Sequence, residues 1–536
     1  MVRSTFASFV TAHLGLTASQ RALDVTGQNI TNVNTAGFTR QRLDLVSFAS
    51  GGYSNRYAFL PSNDVGQGVR LNGIAQIRDP FLDVRFRREH AKLGEAEAQF
   101  SALSDLEAIF NEITIEGLAA GIDDFVTQLH ALSQNTGNVE FDSIVRSSAD
   151  MLTKLFNSYA KQVAQVREQE TYQLVNIDIP RVNTILETIS SLNKSIREDQ
   201  TFGNRSLELL DQRNLLIDEL SQYMKIDTVY TPIEIAKGIV IEDVEIFLRT
   251  EDIPAERVPL VFNREFVQFS TNIDPVTGEA SVFIDGTVNG TTFTAEDISE
   301  KLHTGVLKGI MDMLNKSGPF DFPSSDQKGI GYYEKTLDVF AQEFARVFNE
   351  ANAIKNPGYD PLDPTSGPMP EDRPLFVNAW VPGDSTVGIT AANIGIAQAW
   401  QTLQYGVTAT QRFDIPDDKS GANDNILYMI SLFDQKIDFK TPLGVTLFNG
   451  TLQEYFASTK NTLALDVSGK KKLMENFTII ISGVLDLREG VSGVSLDEEG
   501  INLIRFQKSY NAAARFMTTL DEALDKLING TGIVGR

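Results

Sequence analysis

The stretch SLDEEGINLIRFQKSYNAAARFMTTLDEALDKL, residues 495–527, decides the fold. Ser495-Leu496-Asp497-Glu498 has the form of a capping box, in which Ser and Glu each satisfy an orphan amide at a helix start. Leu496, Leu503, Phe506, Tyr510, Ala513, Met517, Leu520, Leu524 and Leu527 then recur at heptad spacing, the mark of a helix that packs along one seam. Glu499 alone breaks that seam. The acids Asp497, Glu498 and Glu499 invite comparison with paired catalytic carboxylates, but capping and the helix dipole account for acids in a first turn.

A matching stripe lies at the other end of the chain. Phe9, Leu16, Leu23 and Ile30 are seven apart, and Ala12, Ser19, Thr26 and Val33 follow three residues behind them. The first 34 residues therefore read as one helix, with Gly37 in Asn34-Thr35-Ala36-Gly37 able to adopt the left-handed stop. At about 1.5 Å per residue the two stripes run roughly 36 and 45 Å. A lone amphipathic helix is marginal in water. Two that meet bring the chain ends together and leave the middle as one large insertion.

Between the ends, 51–90 reads as a connector with strand-like runs, and 91–227 as the first part of a helical domain in which Pro180 should kink or end a helix. Residues 228–300 read as a β-rich section, with Asp285-Gly286 and Asn289-Gly290 as hairpin-turn dipeptides. Residues 301–353 return to helix. Seven prolines in 354–383 and the polar run at 414–425 make 354–424 a loop region, before 425–494 resumes the helical domain and 495–536 closes the chain. The expected fold is mainly α: paired N- and C-terminal heptad helices (1–50 and 495–536) plus an elongated helical domain with a small β-rich section.

The 536 residues carry a net charge of -24, which argues against nucleic acid or an anionic membrane as partner. The charge sits in the middle: outside 1–50 and 495–536 there are 38 basic and 63 acidic side chains. Cysteine is absent, so disulfides, thiol catalysis and Cys-ligated zinc are excluded. No signal-peptide pattern opens the chain and no apolar run reaches membrane-span length. His13, His90, His130 and His303 lack metal-ligand spacing, the acids of 414–425 do not fit an EF-hand, and no P-loop, dinucleotide or Gly-x-Ser-x-Gly motif occurs. No enzyme, cofactor or metal is expected.

The wording of the ends adds to their period. Gly15-Leu16-Thr17-Ala18 and Ala22-Leu23-Asp24-Val25-Thr26-Gly27-Gln28-Asn29-Ile30-Thr31-Asn32-Val33-Asn34-Thr35-Ala36-Gly37-Phe38 resemble the N-terminal motif of the flagellar rod, hook and hook-associated proteins. Four further stretches are similar to the hook-associated, junction-forming branch of that family. They are Val65-Gly66-Gln67-Gly68-Val69, Arg78-Asp79-Pro80-Phe81-Leu82, Leu209-Leu210-Asp211-Gln212-Arg213-Asn214, and Ser492 to Glu499 with Leu503 to Tyr510. The resemblance implies a structural subunit of the flagellum that joins hook to filament, an extracellular protein exported unfolded by the flagellar type III apparatus. Its implied partners are further copies of itself in a ring, the hook protein, the next hook-associated junction protein and an export chaperone. Its implied assembly interface is Phe9, Leu16, Leu23, Ile30, Val33, Leu496, Leu503, Phe506, Tyr510, Met517, Leu520, Leu524 and Leu527. Many members insert a β domain after a stretch like Pro374-Leu375-Phe376; here about 48 residues separate it from Asn423-Asp424-Asn425, so that domain should be missing or vestigial. Rival readings are a hook or rod subunit, a coiled-coil scaffold, and an enzyme displayed on the flagellum.

Overall fold

The structure is a computed structural model that describes residues 5–47, 68–110, 117–236, 239–250, 257–356, 359, 361–362, 369–411 and 421–530. Val65-Gly66-Gln67 and most of the 414–425 run lie outside them. In chain order the elements are α1 (Thr5–Thr31), β1 (Gln41–Ser47), β2 (Val69–Gln76), α2 (Pro80–Phe110), α3 (Leu118–Gln134), α4 (Val139–Tyr172), α5 (Ile179–Thr201) and α6 (Leu207–Tyr223). The β section follows: β3 (Ile226–Ala236), β4 (Ile239–Arg249), β5 (Arg257–Phe262), β6 (Glu265–Phe266), β7 (Gln268–Ile273), β8 (Ala280–Val288) and β9 (Thr291–Asp297). Then come α7 (Val306–Asn315), α8 (Ile330–Asn352), β10 (Phe376–Asn378), β11 (Ile394–Ile396), α9 (Gln398–Gln401), α10 (Asp424–Ser431), β12 (Ile437–Lys440), β13 (Thr446–Gly450), α11 (Leu452–Ser492) and α12 (Leu496–Gly530).

A body built from α2 to the first half of α11 surrounds one continuous core. Its centre is aromatic. Phe340, Phe344 and Phe348 recur along one face of α8 and meet Phe125 of α3, Phe156 of α4 and Phe376 of β10. Phe439 stacks on Tyr455 with ring centroids 3.9 Å apart. Fully burying each such ring contributes about 1.5–3 kcal/mol. All strands of the β section pair antiparallel, in a β3-β4-β5-β6 sheet and a β7-β8-β9 sheet, and their inner faces (Val244, Ile246, Val282, Ile284) join the same core.

Local chemistry sets several boundaries. Asn289 and Gly290 both take positive φ between β8 and β9, as a two-residue type I′ turn needs. Asp285-Gly286 is instead a bulge inside β8, where the register slips beside Gly286. α2 begins earlier than its periodicity suggests, because Asp79 accepts from the Phe81 amide at 2.9 Å and Pro80 opens the first turn. Thr451 and Glu454 form a complete capping box at the head of α11.

Pro180 neither stops nor breaks the helical path. Residues 173–178 widen into a π-helical turn that joins α4 to α5 with right-handed helical backbone on both sides. Two acids are buried at this turn. Burial pushes the Glu170 carboxyl up to about 7, reinforced by Asp105 and Asp178, and pushes Asp178 up to about 6. The folded state therefore binds more protons than the unfolded chain above about pH 4, and stability must fall as pH rises toward 7. We expect urea unfolding of the body to show a loss on the order of 2–4 kcal/mol between pH 4.5 and 8 from this pair. Glu170→Gln should raise stability at pH 8 and flatten the profile relative to the parent chain; an unchanged slope would count against the assignment.

Beyond the body, the second half of α11 packs along α2 as a two-helix stalk, closed by Phe86, Leu93, Ile481 and Val484. α1 and α12 continue from its end. No described residue of either belongs to the body's core.

Candidate assembly surface and its joint to the body

α1 and α12 lie side by side and antiparallel: Gly15 faces Ala513 while Asn29 and Glu499 share a cleft at the other end. A Cβ built on Gly15 would sit 3.8 Å from the Ala513 Cβ, so small residues let the backbones approach. On α1 the buried set is Ala12, Ala18, Ser19, Ala22, Val25, Thr26 and Asn29. The large stripe flanks it: Phe9, Leu16, Leu23, Ile30 and Val33 are half-buried. On α12, Phe506, Tyr510, Met517, Leu520 and Leu524 are half-buried, whereas Leu496, Leu503 and Leu527 are exposed, together with Ile501, Ile504, Phe516 and Ile528. α1 also packs on the β1–β2 hairpin, so the terminal helices are not each other's sole partners. The pair thus buries its small residues inward and keeps apolar rows uncovered, an arrangement that monomers seldom leave without a partner.

Glu499, which breaks the apolar period, is the one residue of α12 that is buried. Its carboxylate accepts from Arg40 Nε at 2.8 Å and Nη2 at 2.7 Å, and Glu498 takes Arg40 Nη1 at 2.6 Å. Ser495 still receives the Glu498 amide at 3.5 Å, but the Glu498 side chain goes to Arg40. So the double acid is a clamp on the opposite chain end, made at charge-assisted distances. The Arg40 amide donates to the Ser492 carbonyl at 2.9 Å, and Asn29 exchanges two 2.9 Å hydrogen bonds with the backbone of Gln41.

The clamp continues into the body. Thr39 donates its amide (3.1 Å) and hydroxyl (2.6 Å) to Asp211 of α6. Burial pushes the Asp211 carboxyl up and the two Thr39 bonds work against it. Arg78 pairs with Asp83 at 3.1 Å. Arg488 of α11 bridges Asp83 at 2.8 Å and Asp218 at 2.6 Å, and Arg87 shares Asp218 at 2.7 Å. An open cleft of about 680 Å³ runs along this joint, lined among others by Phe38, Arg78, Asp218 and Arg488.

Four stretches quoted for their wording therefore meet in space: the N-terminal one at Asn29, the connector at Arg78, the α6 motif at Asp211 and the closing signature at Ser492, Glu498 and Glu499. Sequence reasoning missed Thr39, Arg40, Arg87, Asp218 and Arg488. One signal was there: Asp211 and Asp218 are seven apart, on one face of a buried helix.

Three known family models match parts of the chain. Residues 103–361 match the model described as the flagellar hook-associated protein FlgK helical domain. Residues 10–39 match the flagella basal body rod protein model, and 490–530 the flagellar basal body rod FlgEFG protein C-terminal model. Flagellar hook-associated protein 1 of Bacillus subtilis is 29% identical over 99% of this chain and 100% of its own length. Along nearly its whole length the chain is similar to the flagellar hook-associated protein 1 family. The Escherichia coli member is 23% identical over 96% of this chain and 98% of its own. The solved flagellar hook junction protein FlgK of Burkholderia pseudomallei shares the fold at 14% identity, with a TM-score of 0.54 over 76% of this chain and all of that one. The family is a structural one of the bacterial flagellum, at the hook junction. No described helix is long and apolar enough to cross a membrane.

Proposed function

We propose that this chain is a structural subunit that joins hook to filament, is exported unfolded by the flagellar type III apparatus, and assembles through its terminal helices. The carrying observation is the α1/α12 pair, which stands outside the body's core, leaves rows of large apolar residues uncovered, and is clamped through Arg40, whose amide hydrogen-bonds Ser492 at the end of the stalk. Phe9, Leu16, Leu23, Ile30, Val33, Leu496, Leu503, Phe506, Tyr510, Met517, Leu520, Leu524 and Leu527 supply the interface in this reading. Its partners are further copies in a ring, the hook protein below, the next junction protein above, and a chaperone that shields the α12 apolar row before export. The absence of cysteine supports threading, because no disulfide needs reduction. Nothing in the reading requires catalysis, a cofactor, nucleic acid or a membrane.

The domain assignment follows: an axial unit from 1–50 and 495–536, a connector at 51–90, and a body in which the β section belongs to the helical domain. We read 354–424 as the remnant of an outer domain. Its described part carries two three-residue strands and the four-residue α9.

Limited proteolysis of the purified monomer tests this. The expected product is a resistant fragment close to Pro80–Ser492, with both terminal segments lost first. Resistant termini would instead favour a pre-formed coiled-coil scaffold.

A further inference from the structure

The stalk helix α11 carries two apolar stripes, and α2 covers one of them. Met474, Phe477, Ile481 and Val484 pack with Phe86 and Leu93 of α2. Leu473, Ile480 and Leu487 recur at seven-residue spacing on another face and are exposed, and Ile479 beside them is 70% exposed. An apolar face of this length is unusual without a partner. Its shape is specific as well. Residues three and four apart are neighbours on a helix, so Ile479, Ile480, Asp486 and Leu487 frame Gly483. A Cβ built on Gly483 or on Gly490 would meet nothing within 4 Å, so the two glycines leave an open depression between the apolar side chains.

The other helix of the stalk presents a matching edge at the same height. Phe81 (71% exposed) and Val84 stand out from α2, with the exposed Arg85 and Arg88 beside them. Asp83, between Phe81 and Val84, is tied to Arg488 at 2.8 Å, which sets this edge level with the Gly483–Gly490 stretch. The charges of the two edges are opposite. Arg85 and Arg88 lie on α2, Asp486 and Glu489 on α11, all four exposed and none in an ion pair among the described residues. Lys470, Lys471 and Lys472 lie farther along α11, outside this stretch. Within one chain the edges do not meet, since the open space at Gly483 is out of reach of its own α2.

We infer that the stalks of neighbouring copies pack side by side, the Phe81–Arg88 edge of α2 on one copy entering the Gly483–Gly490 depression of α11 on the next. This contact rests on the ring of copies proposed above and adds an interface that the terminal helices do not make. Because the two edges are different surfaces of one chain, the contact is heterologous and can repeat from copy to copy around a ring.

Crosslinking in isolated flagella tests it, since the chain has no cysteine. Val84→Cys with Gly483→Cys should give multimers on a non-reducing gel after mild oxidation, and either single variant should give none. Multimers from Gly483→Cys alone would overturn the heterologous pairing. An incorporated double variant whose thiols stay free would overturn the contact and leave the ring standing, whereas absence of the parent chain itself from flagella would overturn both. A second pair of substitutions reads the depression without cysteine. Gly483→Leu with Gly490→Leu fills it with better helix formers. The Tm of the purified chain should therefore hold or rise, while the share of exported subunit found in flagella falls at least tenfold. Arg85→Glu should lower that share at least threefold, and adding Asp486→Arg should restore most of it. Incorporation of the double-leucine variant at the parent's level would overturn the proposal.

Discussion

Replacing Met517 and Leu520 with Asp is expected to abolish incorporation into the flagellum while the body keeps its unfolding midpoint. Both residues are half-buried on the α12 seam, opposite a face of α1 made of small side chains. A buried apolar knob contributes about 1.5–3 kcal/mol, and an aspartate in its place must also be desolvated or drive the helices apart. The loss is therefore several times the thermal energy at the one contact that holds α1 and α12 together along their length. The body should not register it, because its core ends at Val467 and starts at Ala102. Subunits would be recovered outside the cell, filaments would be missing, and unfolding of the purified variant would be unchanged. A parallel fall in the body's midpoint would mean that the seam is part of the common core.

Asp218→Ala should cause a large loss of stability. Asp218 accepts from Arg87 and from Arg488, one on each helix of the stalk. Burial works against the Arg87 charge, and the Asp218 carboxylate more than offsets it, raising the guanidinium above its ordinary value. Arg87 Nη2 has no partner of its own, so the site has no spare acceptor. Taking the shared acid away leaves buried positive charge, at a cost of about 3–5 kcal/mol. Urea unfolding should report it, with a smaller loss for Asp218→Asn. Adding Arg87→Met to Asp218→Ala should recover part of the loss, since an apolar side chain of similar length asks for no counter-ion. Equal stability of parent and Asp218→Ala would contradict this network.

How much of this was legible depended on range. The heptads at 9–33 and 496–527 are local and periodic, and both became single helices, with Val33 in the turn just past the end of α1. The β section was visible through its β-branched runs and through Asn289-Gly290. Glu499 was misread because periodicity scores a charge only as a fault, and its partner Arg40 lies 459 residues away. Asp285-Gly286 matches a turn dipeptide, but cross-strand pairing with β7 and β9 made it a bulge. Pro180 was read as a kink or an end because the π turn before it, which leaves room for a proline, has no signature of its own. β10 to β13 have three to five residues each, too few to show a period. The joint was the least legible part, since its charged pairs join four separate stretches and only folding puts them together.

The central claim, that the chain ends form one antiparallel unit in the working flagellum, is open to a direct measurement because the chain has no cysteine. Gly15→Cys with Ala513→Cys places two thiols on Cβ positions 3.8 Å apart, within disulfide range. Flagella isolated from swimming cells that carry this variant would be oxidised and the subunit run on a non-reducing gel. The account predicts a crosslink within each chain and a subunit that migrates as a monomer. Crosslinked multimers, or thiols that stay free, would contradict it, because the seam would then join different copies or not exist in the assembled structure.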